Sequence, residues 1–237
     1  MGSTDRSGRT TGRSSGEPVH HDSPSAGSRE KVLEVAEALF ARRGFAGVGL
    51  REVAETAGLG KSSLFHHFKG KVQLYFAVLE RVLQRMDRRL QPLFTAAIAP
   101  AARLDGVIDG LVDTLVEHPG SARLLLRALF EDDDFAPEPL LEAEPTERIL
   151  ESLIARLDAL LREGVAQGVF RAVSTPHMVQ TLIGATVYHF ASGDFGETLL
   201  GSPLCSSEQV RRRKDELKAL LHHGLARAPS PPQEVER

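Results

Sequence analysis

The stretch at residues 50–68, LREVAETAGLGKSSLFHHF, decides the fold of this chain. Val53, Ala54 and Ala57 recur at helical spacing in its first half, and Leu64 and Phe68 do so in its second. The pattern predicts two short helices around a tight turn, the form in which a second helix is offered to a DNA major groove. Ala54 is small where the two helices must approach. Gly58 stands where the chain reverses, a position that favours tolerance of positive φ, and Leu59 follows as an apolar plug beneath the turn. Left outside on the second helix are Lys61, Ser62, Ser63, His66 and His67, all cationic or hydrogen-bonding. A purely structural helical hairpin can share the Ala-Gly-Leu pattern but has no need of so polar an outer face.

Composition bounds the rest. With 237 residues and 41% hydrophobic content the chain can bury a sizeable core, in one or two domains. The formal charge is −3 and unevenly spread: residues 29–71 hold eight Lys/Arg against five Glu, residues 1–28 are neutral, and the remainder is acidic. A modestly basic block beside an acidic remainder fits local contact with phosphate rather than a general polyanion coat. The single Cys205 excludes an intramolecular disulfide and any Cys-based metal cluster, which suits a reducing cytoplasm. No apolar run approaches the roughly 18 residues of a membrane span, and the N-terminus lacks an apolar signal core.

Residues 1–27 are dominated by Gly, Ser, Thr and Arg and read as a disordered arm. Its Arg6, Arg9 and Arg13 are candidates for a minor-groove contact, offset by Asp5, Glu17 and Asp22. Residues 228–237 read as an unstructured tail. Between them the chain is helix after helix, and strand signals are nearly absent. Val32, Val35, Ala36, Leu39 and Phe40 mark a first amphipathic helix closed by Gly44. A long helix starts near Lys71, carries Leu74, Val78, Val82, Leu83 and Met86, and ends by Pro92. Further helices are expected at about 102–117, 120–131, 146–167, 176–192 and 207–227. The fold class is all-α.

Other groups of residues carry weaker signals. Glu131, Asp132, Asp133 and Asp134 form an acidic run that could hold a cation, although a solvated loop explains it better. His177 and His189 are twelve residues apart on one helix, more than three turns, so they cannot share a metal, and no metal or cofactor is expected. Leu124, Leu125, Leu126, Leu129 and Phe130 cover more than one helical face, which marks a buried helix. With Leu157, Leu160, Leu161, Phe170 and Leu182 they either line a cavity for an apolar ligand or form solid core. Met178, Tyr188 and His189 are candidate fittings of such a cavity. Val210, Leu217, Leu221 and Leu225 make a stripe that, with the preceding helix at about 176–192, fits a two-fold dimer face, and Arg211, Arg212, Arg213, Lys214 and Lys218 lie largely off it, toward solvent. No Ser-His-Asp arrangement, phosphate-cradling Gly loop or HExxH motif is present, so an enzyme is not expected.

From residue 29 to about 79 the chain resembles the N-terminal domain of the tetracycline-repressor (TetR) family. ALFARRGF at 38–45, REVAETAGLGKSSLFHHF at 51–68 and Lys71 carry the resemblance. It implies a helix-turn-helix DNA-binding domain at 28–72 and a helical ligand-binding and dimerisation domain at 73–227. Lys61, Ser62 and Ser63 would then approach base edges, Arg51 would reach DNA, and His66 and His67 would lie near the backbone. Lys71 would bind phosphate beside a helix N-terminus. The family usually has Ser, Thr, Asn or Asp at the three N-caps where this chain has Gly49, Gly60 and Gly70, and commonly Tyr where it has Phe65. Phe65 can pack at the DNA edge but lacks the hydroxyl that bonds a phosphate. The resemblance implies a cytoplasmic homodimer, a repressor in most cases, that binds a pseudo-palindromic double-stranded operator and answers to a small-molecule effector. The alternatives are a DNA binder without a ligand and an all-α enzyme with an incidental hairpin.

Overall fold

The computed structural model describes residues 24–129 and 141–225, with side chains from residue 27. Ten helices account for most of them: α1 (Pro24–Arg43), α2 (Leu50–Thr56), α3 (Lys61–His67), α4 (Lys71–Phe94), α5 (Pro100–Glu117), α6 (Pro119–Ala128), α7 (Glu144–Ala166), α8 (Thr175–Ala191), α9 (Asp194–Leu200) and α10 (Ser207–Leu225). No strand occurs among the described residues. Arg6, Arg9, Arg13, Phe130, the acidic run 131–134 and the tail lie outside them. Proline in the first turn of α5, α6, α7 and α8 suits positions where its missing N–H would have had no helical partner.

Helix α4 organises the molecule. Leu74, Tyr75, Val78, Leu79, Val82, Leu83, Met86, Leu90 and Phe94 give it a buried stripe along its whole length. The stripe packs on α1 at one end and on α5 and α7 at the other. A single connected core therefore runs from the N-terminal head (α1 to α3) into the C-terminal helices. Two expectations shift here. Helix α1 begins at Pro24, inside the stretch read as an arm, and Pro92 does not end α4, which continues to Phe94. So near the C-terminus, Pro92 removes a bond from the final turn alone.

Helix α9 escaped the sequence reading. It starts with Asp194 and stops at Gly201 in the left-handed region, an acidic-start, glycine-stop signature hidden by its seven-residue length.

The dimer face expected on α10 is corrected. Leu217, Leu221 and Leu225 are 2%, 6% and 1% exposed within a single chain, packed into its own core, and Val210 lies against the same core. Their cover is α5. Lys214 pairs with Asp113 at 2.5 Å, Lys218 with Asp109 at 3.0 Å and His222 with Asp105 at 2.8 Å. Partners four residues apart on two antiparallel helices thus bind Lys214 and Lys218, which were expected to face solvent. Half-exposed pairs of this kind contribute little energy but fix the register.

Because that stripe is intramolecular core, Leu217→Ala should cost about 2–5 kcal/mol of folding stability, read by urea unfolding of the full chain. Loss of self-association at unchanged stability would return Leu217 to an interface.

Candidate nucleic-acid interface

The head is built by small side chains and a left-handed turn. Val53, Ala54 and Ala57 of the α2 side and Leu64 and Phe68 of the α3 side are all buried. Gly58 adopts φ +68°, where its N–H donates to the Glu55 carbonyl at 3.0 Å and the Leu59 N–H reaches the Ala54 carbonyl at 2.9 Å. A side chain at residue 58 would strain this reversal. Gly49, Gly60 and Gly70 are the N-caps of α2, α3 and α4, and none supplies a side-chain cap bond. Elsewhere in the head, Tyr75 meets Phe40 and Phe45 edge-on, with ring centroids 5.1 and 5.2 Å away, which ties α1 and the loop after it to α4.

With Leu64 buried, α3 turns its other sides outward. Lys61, Ser62, Phe65 and His66 are exposed and Ser63 and His67 half-buried. The Lys61 ammonium lies 5.7 Å from the centre of the Phe65 ring and has no ion-pair partner among the described residues. Phe65 is 40% exposed, a large apolar ring presented beside cationic and hydroxyl groups. The rings of His66 and His67 meet edge-on at 5.5 Å.

Two expected contacts are tied up within the protein. Arg51 pairs with Glu55 one turn on, at 2.7 Å, and both remain well exposed. That pair exchanges readily with water or phosphate. Lys71 is more constrained: its ammonium donates to the Ala46 carbonyl at 3.2 Å and sits 4.3 Å from the centre of the Phe45 ring. It staples the start of α4 to the α1–α2 loop, so its charge supports the head from within.

The head is joined to the rest by a buried carboxylate that the sequence reading missed. Glu37 of α1 is 8% exposed. It accepts from Arg81 at 2.7 Å, from Arg85 at 2.5 and 3.0 Å and from the Ser121 hydroxyl of α6 at 3.2 Å. Burial pushes its pKa up, but the hydrogen bond and charge of Arg85, with Arg81 and Ser121, outweigh that and hold it below the ordinary glutamate range. A Glu on an otherwise apolar helix face, with arginines four apart on a later helix, was its only trace in the sequence.

The expected effector residues differ in burial. Leu182 is core, Met178 packs against the core, and Leu126 and Leu157 are half-buried. Tyr188 is 56% exposed, pointing to solvent rather than into a cavity, because consecutive helical residues lie on different faces. His189 does turn inward: its Nε2 is buried with no partner, and burial, reinforced by the Arg213 charge, lowers its pKa to about 4. A cleft of about 210 Å³ in the C-terminal region is lined by Leu104, Asp105, Phe170, Leu221 and His222 among others; of the residues expected to line an effector cavity, Phe170 alone is among them.

Comparison with known proteins now decides the assignment. Residues 32–78 match the family described as bacterial regulatory proteins, tetR family, and residues 100–220 match the tetracyclin repressor-like C-terminal domain. The chain belongs to the tetR family. It is 29% identical over 169 residues to the HTH-type transcriptional repressor KstR2 of Mycolicibacterium smegmatis, spanning 70% of this chain and 80% of the relative. To the HTH-type transcriptional regulator RutR of Escherichia coli O157:H7 it is 29% identical over 202 residues, 83% of this chain and 90% of that one. The structure of AibR, solved with isovaleryl coenzyme A and operator DNA, superposes with a TM-score of 0.66 at 16% identity, over 81% of this chain and 97% of the other. The tetR-family chain is accordingly a helix-turn-helix, DNA-binding transcription regulator. Among its described residues no helix is long and apolar enough to cross a membrane.

Lys61→Ala or Ser63→Ala should change which operator bases are preferred, whereas Lys71→Ala should weaken binding to all sequences alike, flatten the salt slope by about one unit and lower the thermal midpoint through its lost staple. Binding to selected and random duplexes at several salt concentrations separates these. Phe65→Tyr, with its ring half out of the protein, should tighten binding by about 0.5–1.5 kcal/mol through a new phosphate hydrogen bond. His189 gives a pH signature. Unfolded, it takes up a proton near 6.5, but in the fold only near 4, so the unfolded state binds more protons between these values and stability falls as pH drops through that window. His189→Leu should make the fall in thermal midpoint from pH 6.5 to 4 shallower.

Proposed function

We propose that the protein is a cytoplasmic, homodimeric, non-enzymatic repressor whose two heads read a pseudo-palindromic operator and are released by a small effector. The observation that carries the DNA side is α3: a seven-residue helix with Leu64 buried, presenting Lys61, Ser62, Phe65 and His66 outward. On this reading residues 28–72 bind DNA and residues 73–227 dimerise and sense, with α4 shared between them. Base edges meet Lys61, Ser62 and Ser63, and phosphates meet Arg51, His66, His67 and Lys71. Two heads must fit successive major grooves about 34–36 Å apart, so any ligand that favours another head spacing lowers operator affinity.

A different part of α10 supports the dimer. Tyr188, Phe195, Leu199, Leu200 and Leu220 are exposed large apolar side chains on α8, α9 and α10, and Arg213 of α10 donates to the Ala185 carbonyl of α8 at 2.6 Å. Apolar side chains gathered on neighbouring helices favour burial against a second copy. A CoA thioester is the effector class favoured by likeness to AibR. A second reading, constitutive binding without a ligand, is favoured by the 210 Å³ volume of the C-terminal cleft, below the roughly 300 Å³ at which ligand pockets begin.

Selection of bound fragments from a random duplex pool should return a pseudo-palindrome, and isovaleryl or stearoyl coenzyme A should raise the operator Kd if the first reading holds. Recovery of no enriched sequence would end the DNA reading; indifference to every thioester would favour the second. Phe195→Glu with Leu199→Glu should yield monomers at low micromolar concentration by sedimentation and weaken operator binding, with the fold intact by circular dichroism.

A further inference from the structure

An open cleft of about 580 Å³ lies where α1, the middle of α4 and the α5–α6 corner meet. It falls within the volume range of small-molecule sites but is lined chiefly by charged groups, so an apolar effector is not its occupant. Most of those charges already have partners. Glu37 is held by Arg81 and Arg85, Arg81 also pairs with Glu30 at 2.6 Å, and Glu117 pairs with Arg89 at 2.9 Å. What remains is two guanidinium groups, Arg42 of α1 and Arg123 of α6, with no hydrogen-bond or ion-pair partner among the described residues, against one unpaired carboxylate, that of Glu34.

The surroundings favour an anion further. Arg85 has a buried Nε without a partner beside the cleft. His118, lowered in pKa by burial and by the Arg85 charge, offers a neutral ring to hydrogen-bond rather than a competing cation. The Arg123 guanidinium occupies the space that a side chain at residue 193 would take, 2.5 Å from the position of a Cβ, and Gly193 has φ +53°. The site does not belong to the DNA face. Arg81 lies ten residues along α4 from Lys71, roughly 15 Å at the helical rise.

We propose that this cleft binds a small organic anion carrying a carboxylate or phosphate group, gripped between Arg42 of the head and Arg123 of the C-terminal helices. Guanidinium forks suit such groups by charge and by paired N–H geometry. An anion bridging the two residues favours one spacing of α1 against α6, and so one placement of the head. The site is a polar one, separate from any cavity for an acyl chain.

The test is calorimetric titration of the full chain with citrate and with inorganic phosphate, at ionic strength held constant with sodium chloride. Saturable binding with a Kd of about 0.01–1 mM is expected for at least one. Arg42→Ala and Arg123→Ala should each weaken it by about tenfold or more, and Arg88→Ala, an exposed arginine elsewhere on α4, should leave it unchanged. Arg123→Lys, which keeps the charge, guards against a variant that fails to fold, and should retain part of the binding. No saturable binding by either anion, or equal binding in both alanine variants, overturns the site. Because coupling between sites is reciprocal, the anion that binds should also change the operator Kd of the native chain and not that of Arg123→Ala. An unchanged operator Kd overturns the link to head placement. The operator arm rests on the DNA-binding reading, whereas the calorimetric arm stands without it.

Discussion

A carboxylate taken out of water must be neutralised where it lies, and Glu37 shows how much geometry that demand fixes. Its oxygens are shared among Arg81 and Arg85 of α4 and Ser121 of α6, while Arg85 also donates to Ser121 at 3.1 Å. Removing one partner of a buried pair costs about 3–5 kcal/mol, because the charge left behind is uncompensated. The angle between the head and the C-terminal helices is therefore tied to a shared set of hydrogen bonds on three helices. Helix α6 lacks a side-chain cap of its own at His118, and Ser121 in its first turn meets the carboxylate from α1 instead.

The reading surface depends on this support. A seven-residue helix such as α3 is too short to persist in water by itself. It is held by Leu64 and Phe68 beneath it, by α2 across the Gly58 turn, and by the aromatic contacts of Tyr75 with Phe40 and Phe45. Lys71 adds a further tie by placing its ammonium on the Ala46 carbonyl and the Phe45 ring. The outward residues of α3 are thus presented by a rigid base, which base-edge recognition needs.

At the other end of the molecule the same economy appears in α10. Its apolar stripe and two of its lysines face α5, and its exposed Leu220 lies on another side. The faces left uncovered on α8 and α9 carry Tyr188, Phe195 and Leu199. The register of α10 on α5 decides which apolar groups are core and which remain for a partner.

The helix-turn-helix was legible from residues 50–68 alone, because its determinants are local: a 3.6-residue period, one small residue at the crossing, and one glycine at the left-handed turn. The all-α class and most helix positions followed from the same periodicity, and the outward set on α3 followed from knowing its buried set. What the sequence did not reveal was which apolar face of α10 meets the chain itself. Leu217 and Leu221 were read as a dimer stripe and are core, since periodicity gives a helix a buried side without naming its neighbour. Tyr188 and His189 were grouped by adjacency, yet one points to water and the other inward. Glu37, Arg85 and Ser121 lie 36 or more residues apart, so no local pattern could announce their meeting. Local sequence determined the elements and the outward face of α3; the pairing of faces and of distant charges was decided only by tertiary packing, because burial and charge compensation are satisfied between helices and not within them.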